Sequence, residues 1–174
     1  MKVLGSTLAI VLATVLSVNT VHAATAQGSM VVTASVLGSC AVTPAPLAFG
    51  VYASNATSPT TAIAPVTVLC TGGVSAGTLT LAAGNSGAGA LRQMTGVIAT
   101  NKLSYNLFQP ISGSPLAGCA SSTPWGSTTG GHGTGLAVTG LTLAAVFNVC
   151  GSIPAGQNVG ADAYADSVVV TLEF

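Results

Sequence analysis

Residues 164–174 read YADSVVVTLEF, and side chains of two kinds alternate along them. One face of this segment carries Tyr164, Val168, Val170, Leu172 and Phe174, and the other carries Ser167, Val169, Thr171 and Glu173. Because successive side chains of a strand point to opposite faces, this period of two predicts a β-strand with one buried face. Such a strand at the end of a sequence can leave an unpaired edge, which a β-domain has to protect.

Similar short runs recur along the sequence and predict an all-β fold. Strands are predicted at residues 30–36, 48–52, 66–71, 78–82, 102–108 and 141–150. Clusters of Gly, Pro, Ser and Asn separate these runs at intervals typical of a β-sandwich, and helix signals are nearly absent. The first run places Met30, Val32, Ala34 and Val36 on one face.

The first 23 residues have the features of a secretory signal peptide. Met1 and Lys2 precede an uncharged run, residues 3–18, that is rich in Leu, Val and Ala. Small side chains near Ala23 predict cleavage after that residue. A retained membrane anchor is the alternative, but the run is shorter than the roughly 20 apolar residues that cross a bilayer. Residues 24–174 would then form one exported domain.

The exported part has very little charge. Its charged residues are Arg92, Lys102, Asp162, Asp166 and Glu173. This leaves no basic surface for nucleic acid, so we expect no nucleic-acid partner. Low charge is unusual for a freely soluble monomer and favours a chain that assembles. A Gly-, Ala- and Thr-rich secreted domain that is merely poor in charge fits the same composition.

All four cysteines lie in the exported part and predict two disulfides. Of the three possible pairings, we favour Cys40 with Cys70 and Cys119 with Cys150, because sequential pairing joins neighbouring strands. Each bridge closes a loop worth about 3 to 4 kcal/mol in the chain-entropy model. A metal site of four thiolates would be the alternative, but the sequence has no C-x-x-C pair.

The sequence offers little for catalysis, and we expect neither an enzyme nor a cofactor or metal site. His132 is the single histidine after residue 23, and it lies in a long Ser-, Thr-, Gly- and Pro-rich loop, residues 111–135. Asp162 and Asp166 would lie about 13 Å apart on an ideal strand, which is too far for a glycosidase pair. We therefore interpret Asp166 as a strand-entry or turn residue.

Several segments, taken together in order and spacing, resemble the spore coat protein U domain family, which includes the pilins of archaic chaperone-usher pili. The matching residues are Cys40-Ala41-Val42, residues 47–52, residues 66–71, Arg92-Gln93-Met94, residues 103–108, Trp125-Gly126, residues 153–157 and residues 164–174. They span nearly the whole exported chain. Cys119 and Cys150 are not among them.

The resemblance implies an incomplete immunoglobulin-like sandwich that lacks its last strand. Residues 24–37 would be an N-terminal donor-strand extension, residues 38–174 the pilin domain, and residues 164–174 the border of the acceptor groove. The pocket-filling residues of the donor would be Met30, Val32, Ala34 and Val36. The implied partners are a periplasmic chaperone, an outer-membrane usher and other pilin subunits, and the implied location is the cell surface, reached through the periplasm.

The function predicted from this resemblance is that of a pilus subunit serving adhesion and biofilm formation. One alternative keeps the fold but makes the protein a secreted coat or envelope component that does not polymerise. Another is a surface-binding tip module that uses the loop around Trp125. For a secreted hydrolase, the sequence offers almost no candidate catalytic residues.

Overall fold

The computed structural model describes residues 24–85, 92–110, 123–126, 132–142 and 144–174. All regular secondary structure in these residues is β, which confirms the predicted all-β class. The strands are β1 (Ser39–Pro44), β2 (Thr60–Thr71), β3 (Ala76–Leu81), β4 (Arg92–Gly96), β5 (Lys102–Phe108), β6 (Leu136–Thr139), β7 (Ala145–Ile153), β8 (Tyr164–Ala165) and β9 (Val170–Glu173). Across these ranges no helix is long and apolar enough to cross a membrane.

The chain forms two compact units, Met1–Ala34 and Ser35–Phe174. In the first unit, residues 24–34 contain no strand and are exposed. The strand predicted at residues 30–36 is therefore absent from the single chain, where Met30 is 86% and Val32 is 84% exposed. Alternation alone does not form a strand, because its backbone groups need a neighbour and its apolar face needs a surface to cover.

The second unit is a two-layer sandwich of antiparallel strands. The large sheet has the order β1-β2-β7-β5-β4-β8, and the small sheet has the order β6-β3-β9. Inward side chains of both sheets share one core, which includes Val66 and Val68 of β2, Leu79 and Leu81 of β3, and Phe147 of β7. The packing of one sheet on the other buries the apolar face of each.

β2 lies inside the large sheet although it contains Pro65. The strand pairs with β7 from Thr60 to Val68, but β1 reaches only as far as Val66. The carbonyl oxygen of Pro65 points to the β1 side, where it accepts a 2.9 Å hydrogen bond from Ala45 N–H. The position of the missing proline N–H therefore faces the β1 side just beyond the end of β1, so the β2–β7 ladder stays intact.

Four further predicted strands differ from the observed ones. β2 begins six residues before the predicted 66–71, and β3 runs over Ala76–Leu81 in place of 78–82. The strand predicted at residues 48–52 is absent, because Gly50, at φ 72°, turns the chain away from an extended path. The strand predicted at residues 141–150 begins only at Ala145, after a turn at Gly140 and Leu141, and it continues to Ile153. By contrast, β5 has the predicted bounds.

The terminal segment, residues 164–174, is divided between the two sheets. β8 pairs with β4 of the large sheet, whereas β9 pairs with β3 of the small sheet. The prediction of one continuous strand is therefore wrong. The change of sheet follows Asp166, whose carboxylate accepts a 2.8 Å hydrogen bond from the N–H of Ser167 and so replaces a ladder bond at that point.

Candidate functional site

A groove of about 1100 Å³ opens into the core of the second unit. Residues 44–52 form its first wall and residues 159–168 form its second wall. Its floor is made of core side chains that include Leu81 of the small sheet and Leu103 and Val149 of the large sheet. The apolar interior of the sandwich is thus open to solvent along one side.

The first wall is fixed by aromatic packing on the large sheet. Phe49 meets the ring of Tyr105 edge to face, with 6.1 Å between ring centroids. It also lies against β7 at Gly151, where an added Cβ would come within 2.6 Å of the Phe49 ring. A side chain at that position would displace the Phe49 and Leu47 side chains, so the glycine lets the first wall pack closely on the sheet.

Hydrogen bonds tie the end of the first wall to β5. The Tyr52 hydroxyl donates to the carbonyl of Pro154 at 3.0 Å and accepts from Gln157 N–H at 2.8 Å. The Gln157 side chain then accepts from the N–H of Ser104 at 2.9 Å and donates to its carbonyl at 2.8 Å. These residues belong to the segments that carry the family resemblance, and they hold the groove in shape.

The terminal segment, residues 164–174, continues the second wall, and its inward face is only partly covered. Tyr164, Val168, Val170 and Leu172 are partly buried and pack against the core. The first three line the groove. Phe174 is 61% exposed and is not among the lining residues.

The outer edge of β9 has no partner among the described strands. The N–H of Ala82 donates to the carbonyl of Val169 at 2.9 Å, so the backbone groups of Val169 face β3. Because these groups alternate in direction along a strand, those of Val168, Val170 and Leu172 face away from β3. Each of the three residues offers one N–H and one C=O group to a strand added at this edge.

A polar contact interrupts the apolar groove where the second wall changes sheet. The Tyr105 hydroxyl donates to Asp166 Oδ2 at 2.7 Å, and Asp166 Oδ1 accepts from the N–H of Asn85 at 2.8 Å. We call Asp166 and Tyr105 the Asp166 node; both residues line the groove. Burial and the bond to Asp166 raise the pKa of Tyr105, so its phenol remains a donor. Asp166 falls on the inward face together with Tyr164 and Val168, which was the available sequence signal for this contact.

A buried arginine joins the two sheets beside the node. Arg92 of β4 is fully buried and donates to the carbonyls of Ala82, Leu81 and Trp125 at 2.9, 3.1 and 2.8 Å. Burial lowers the pKa of Arg92, whereas its interactions with Tyr105 and Asp166 raise it. Arg92 therefore fixes the end of β3 against β4, below the groove.

The cysteines fit the expected bridges as far as they are described. Cys40 and Cys70 form a disulfide with an S–S distance of 2.03 Å, and they lie opposite each other on β1 and β2. Cys150 is disulfide-bonded. Cys119 lies outside the described residues, so its pairing with Cys150 stays a prediction.

The other candidate residues have structural contacts. Trp125 is fully buried, and its indole N–H donates to the carbonyl of Leu79 at 2.9 Å, so it offers no exposed ring to a ligand. Asp162 Oδ2 accepts from Ile98 N–H at 2.9 Å, a bond that lowers the pKa of Asp162. Among the described residues, no group of three or more His, Cys, Asp or Glu side chains could hold a metal ion, and His132 belongs to none.

Comparisons with known proteins agree with this architecture. Protein U of Myxococcus xanthus is 38% identical over 93 residues, which are 53% of this chain and 46% of that protein. This chain therefore spans less than half the length of that relative. One similar solved structure is a chain from the crystal structure of the CsuC-CsuE chaperone-tip adhesion subunit pre-assembly complex, from the archaic chaperone-usher Csu pili of Acinetobacter baumannii. It has a TM-score of 0.54 at 19% identity and covers 79% of this chain and 40% of that chain, which shows a similar fold.

The family model for the Spore Coat Protein U domain matches residues 26–171. That range takes in both walls of the groove, the Asp166 node and the Cys40–Cys70 bridge. The chain belongs to the spore coat protein U domain family.

Proposed function

We propose that this chain is a pilin, a structural subunit of a chaperone-usher surface fibre. In this assembly, residues 25–36 of one copy add a strand to the groove of the next copy. The observation that carries the proposal is a groove open to the core and bordered by the unpaired edge of β9. A groove of this kind suits β-augmentation, in which main-chain bonds give affinity and alternate side chains enter pockets.

The free energy available from such an insertion is large. Four apolar side chains, Met30, Val32, Ala34 and Val36, would leave water, which contributes on the order of 6 to 12 kcal/mol before ordering costs. Backbone bonds to Val168, Val170 and Leu172 would add about 0.5 to 1.5 kcal/mol each. A fibre joined in this way could hold together outside the cell without an energy source.

Head-to-tail donation also accounts for growth into a filament. The donor and the acceptor are different surfaces of the same chain, so the contact does not close on itself. Before assembly, a strand of a periplasmic chaperone would fill the groove, and an outer-membrane usher would export the subunit. The likeness to a chain of a chaperone-subunit complex supports these partners. The fibre would then serve adhesion and biofilm formation at the cell surface.

The alternative is a secreted coat or envelope protein of the same fold that does not polymerise. The family name and the similarity to Protein U support this reading. A surface-binding tip module would need contact residues other than Trp125, because the indole is buried. The pilin and the coat protein differ in what residues 25–36 do.

Deletion of residues 25–36 separates the pilin from the coat protein. The shortened chain should still bind its chaperone, since its groove is intact, but it should form no fibres. Co-purification with the chaperone and electron microscopy of the cell surface measure the two properties. Fibres of normal length from the deletion variant would exclude donation by this segment.

Two neighbouring valines provide a matched pair for the same test. Val31 and Val32 are 85% and 84% exposed in the single chain, so replacement of either by serine should leave the domain equally stable. In the inserted strand, Val32 would face the groove and Val31 would face solvent. Val32→Ser should therefore reduce fibre yield at least tenfold, and Val31→Ser should leave it within about twofold. Equal yields would contradict strand insertion.

A further inference from the structure

The inward face of the acceptor contains one carboxylate among apolar side chains, and that of the donor contains one small side chain between two valines. The inward face of the terminal segment presents Tyr164, Asp166, Val168, Val170 and Leu172 in series, with one carboxylate among apolar side chains. The corresponding series in the extension is Gly28, Met30, Val32, Ala34 and Val36. Ala34 is the small residue between two valines.

We propose that the Asp166 node sets the register of the inserted strand, so that Ala34 of a second copy lies opposite Asp166. Residues 28–36 then run antiparallel to residues 164–172. This inference rests on the proposed function and adds to it the alignment of the two copies. In this inference, Asp166 and Tyr105 determine which strand the groove accepts and at which position it binds.

Space around the carboxylate is the first reason. Asp166 contacts Tyr105 on one side, and an added Cβ at position 84, which is glycine, would clash with its carboxylate on another. Phe49 packs against the same Tyr105 ring from the opposite wall. The Asp166 node is therefore held in place and has little freedom to move aside for a large side chain.

Hydration of the carboxylate is the second reason. An ionised carboxylate has about four acceptor positions, and hydrogen bonds from Asn85, Ser167 and Tyr105 occupy three of them. A methyl group at position 34 leaves room for water at the remaining one. A leucine or valine there would cover the carboxylate without offering a donor, which is unfavourable because a buried charge needs partners.

The remaining pairs in this alignment are apolar. Val32 lies opposite Val168, and Met30 lies opposite Val170. A shift of two residues in either direction would place Val32 or Val36 over Asp166. A longer shift that brings Gly28 to Asp166 would leave Val168 and Val170 facing only the alanines of residues 24–26.

The first test compares leucine at two inward positions of the extension. Residue 34 is exposed in the single chain, so Ala34→Leu should not affect folding. It should lower the rate of subunit addition at least tenfold, whereas Val32→Leu, which enlarges a side chain over apolar Val168, should change it less than threefold. Chaperone-bound subunits mixed with a preformed fibre end give the rate. Equal rates for the two variants would overturn the role of the node.

The second test maps the register directly with pairs of introduced cysteines. Opposite residues of antiparallel strands have Cβ atoms about 4.5 to 5.5 Å apart, whereas a displacement of four residues adds about 13 Å along the strand. Fibres that carry Val32→Cys and Val168→Cys should give a covalent ladder after oxidation. Fibres with Val32→Cys and Leu172→Cys should not.

The outcomes separate this inference from the function on which it rests. A ladder from the second pair, or no ladder from either pair in fibres of normal length, would overturn the register while leaving the fibre itself. If the unaltered chain forms no fibres with its chaperone and usher, the proposed function fails and the register fails with it.

Discussion

β5 and the terminal segment, residues 164–174, have the same alternating pattern, yet only β5 buries its inward face. Leu103 and Leu107 of β5 are 4% and 5% exposed, whereas Val168 and Leu172 are only partly buried. β5 has β4 and β7 as neighbours, whereas β9 has only β3 among the strands that the structure describes. Alternation thus determines which side chains face the core, and neighbouring strands determine how deeply those side chains are buried.

The largest effect is expected at Trp125, which lies in the fully buried part of the core. Trp125→Ala should lower the free energy of unfolding by about 3 to 5 kcal/mol, because it removes a fully buried ring and leaves the Leu79 carbonyl without its donor. Urea unfolding followed by circular dichroism measures the change. Trp125→Phe is the control and should lose less. A loss below 1 kcal/mol for alanine would contradict the central place of Trp125 in the core.

A matched pair of leucines tests the two sides of the comparison with one chemical change. Leu107→Ala in β5 should cost about 2 to 5 kcal/mol, as in closed cores. Leu172→Ala in β9 should cost about 1 kcal/mol in the single chain, because the side chain already contacts solvent. The difference is measured in the same urea titrations. Equal losses would indicate that the β9 side of the sandwich is as closed as β5.

A peptide of residues 25–36 should reduce the difference between the stability costs of Leu107→Ala and Leu172→Ala. Bound to the chain that lacks this segment, it should raise the melting temperature, since it binds only the folded state. The cost of Leu172→Ala should then increase by about 1 kcal/mol, because the inserted backbone at Gly28 and the neighbouring Met30 side chain cover that leucine, while the cost of Leu107→Ala stays constant. A peptide with Met30, Val32 and Val36 replaced by serine is the control. An unchanged Leu172→Ala cost with bound peptide would place the peptide elsewhere.

The smallest effect is expected at Asp162, at the rim of the groove. Its pKa is lowered from 3.8, chiefly by the N–H of Ile98. A lowered pKa stabilises the fold above the ordinary value, and this contribution disappears as the pH falls through the pKa of the folded state. Asp162→Asn should therefore melt about 1 to 2 °C below the parent chain at pH 6. The difference in melting temperature should vanish near pH 2. A difference that grows as the pH falls would contradict a lowered pKa of Asp162.

The closed region could be predicted from sequence better than the open one. Strict alternation gave the bounds of β5 and the inward face of residues 164–174. β1, β4 and β6 were missed as strands, because four to six residues with little alternation look like loops. The division of the terminal strand also escaped prediction, since it depends on the bonds of Asp166 to Asn85 and Tyr105, which are distant in sequence.

The candidate site was predictable only in part for the same physical reason. Residues that border the groove on the second wall follow from the period of two. The first wall follows from no periodicity, because Leu47 and Phe49 are held by packing on Gly151 and not by a ladder. The Trp125 alternative assumed an exposed loop residue, and the hydrogen bond to Leu79 places that ring in the core.

The Cys40–Cys70 bridge also has a mechanical consequence. Cys40 is the second residue of β1, close to the point where residues 24–38 leave the sandwich, and Cys70 lies directly opposite in β2. In a fibre assembled as proposed, tension along the fibre would enter each subunit at this point. Hydrogen bonds alone would let the edge strand peel away one bond at a time. The covalent link instead passes the pulling force directly to β2, which is held on both sides, so that the force bypasses residues 41–59 between the two strands.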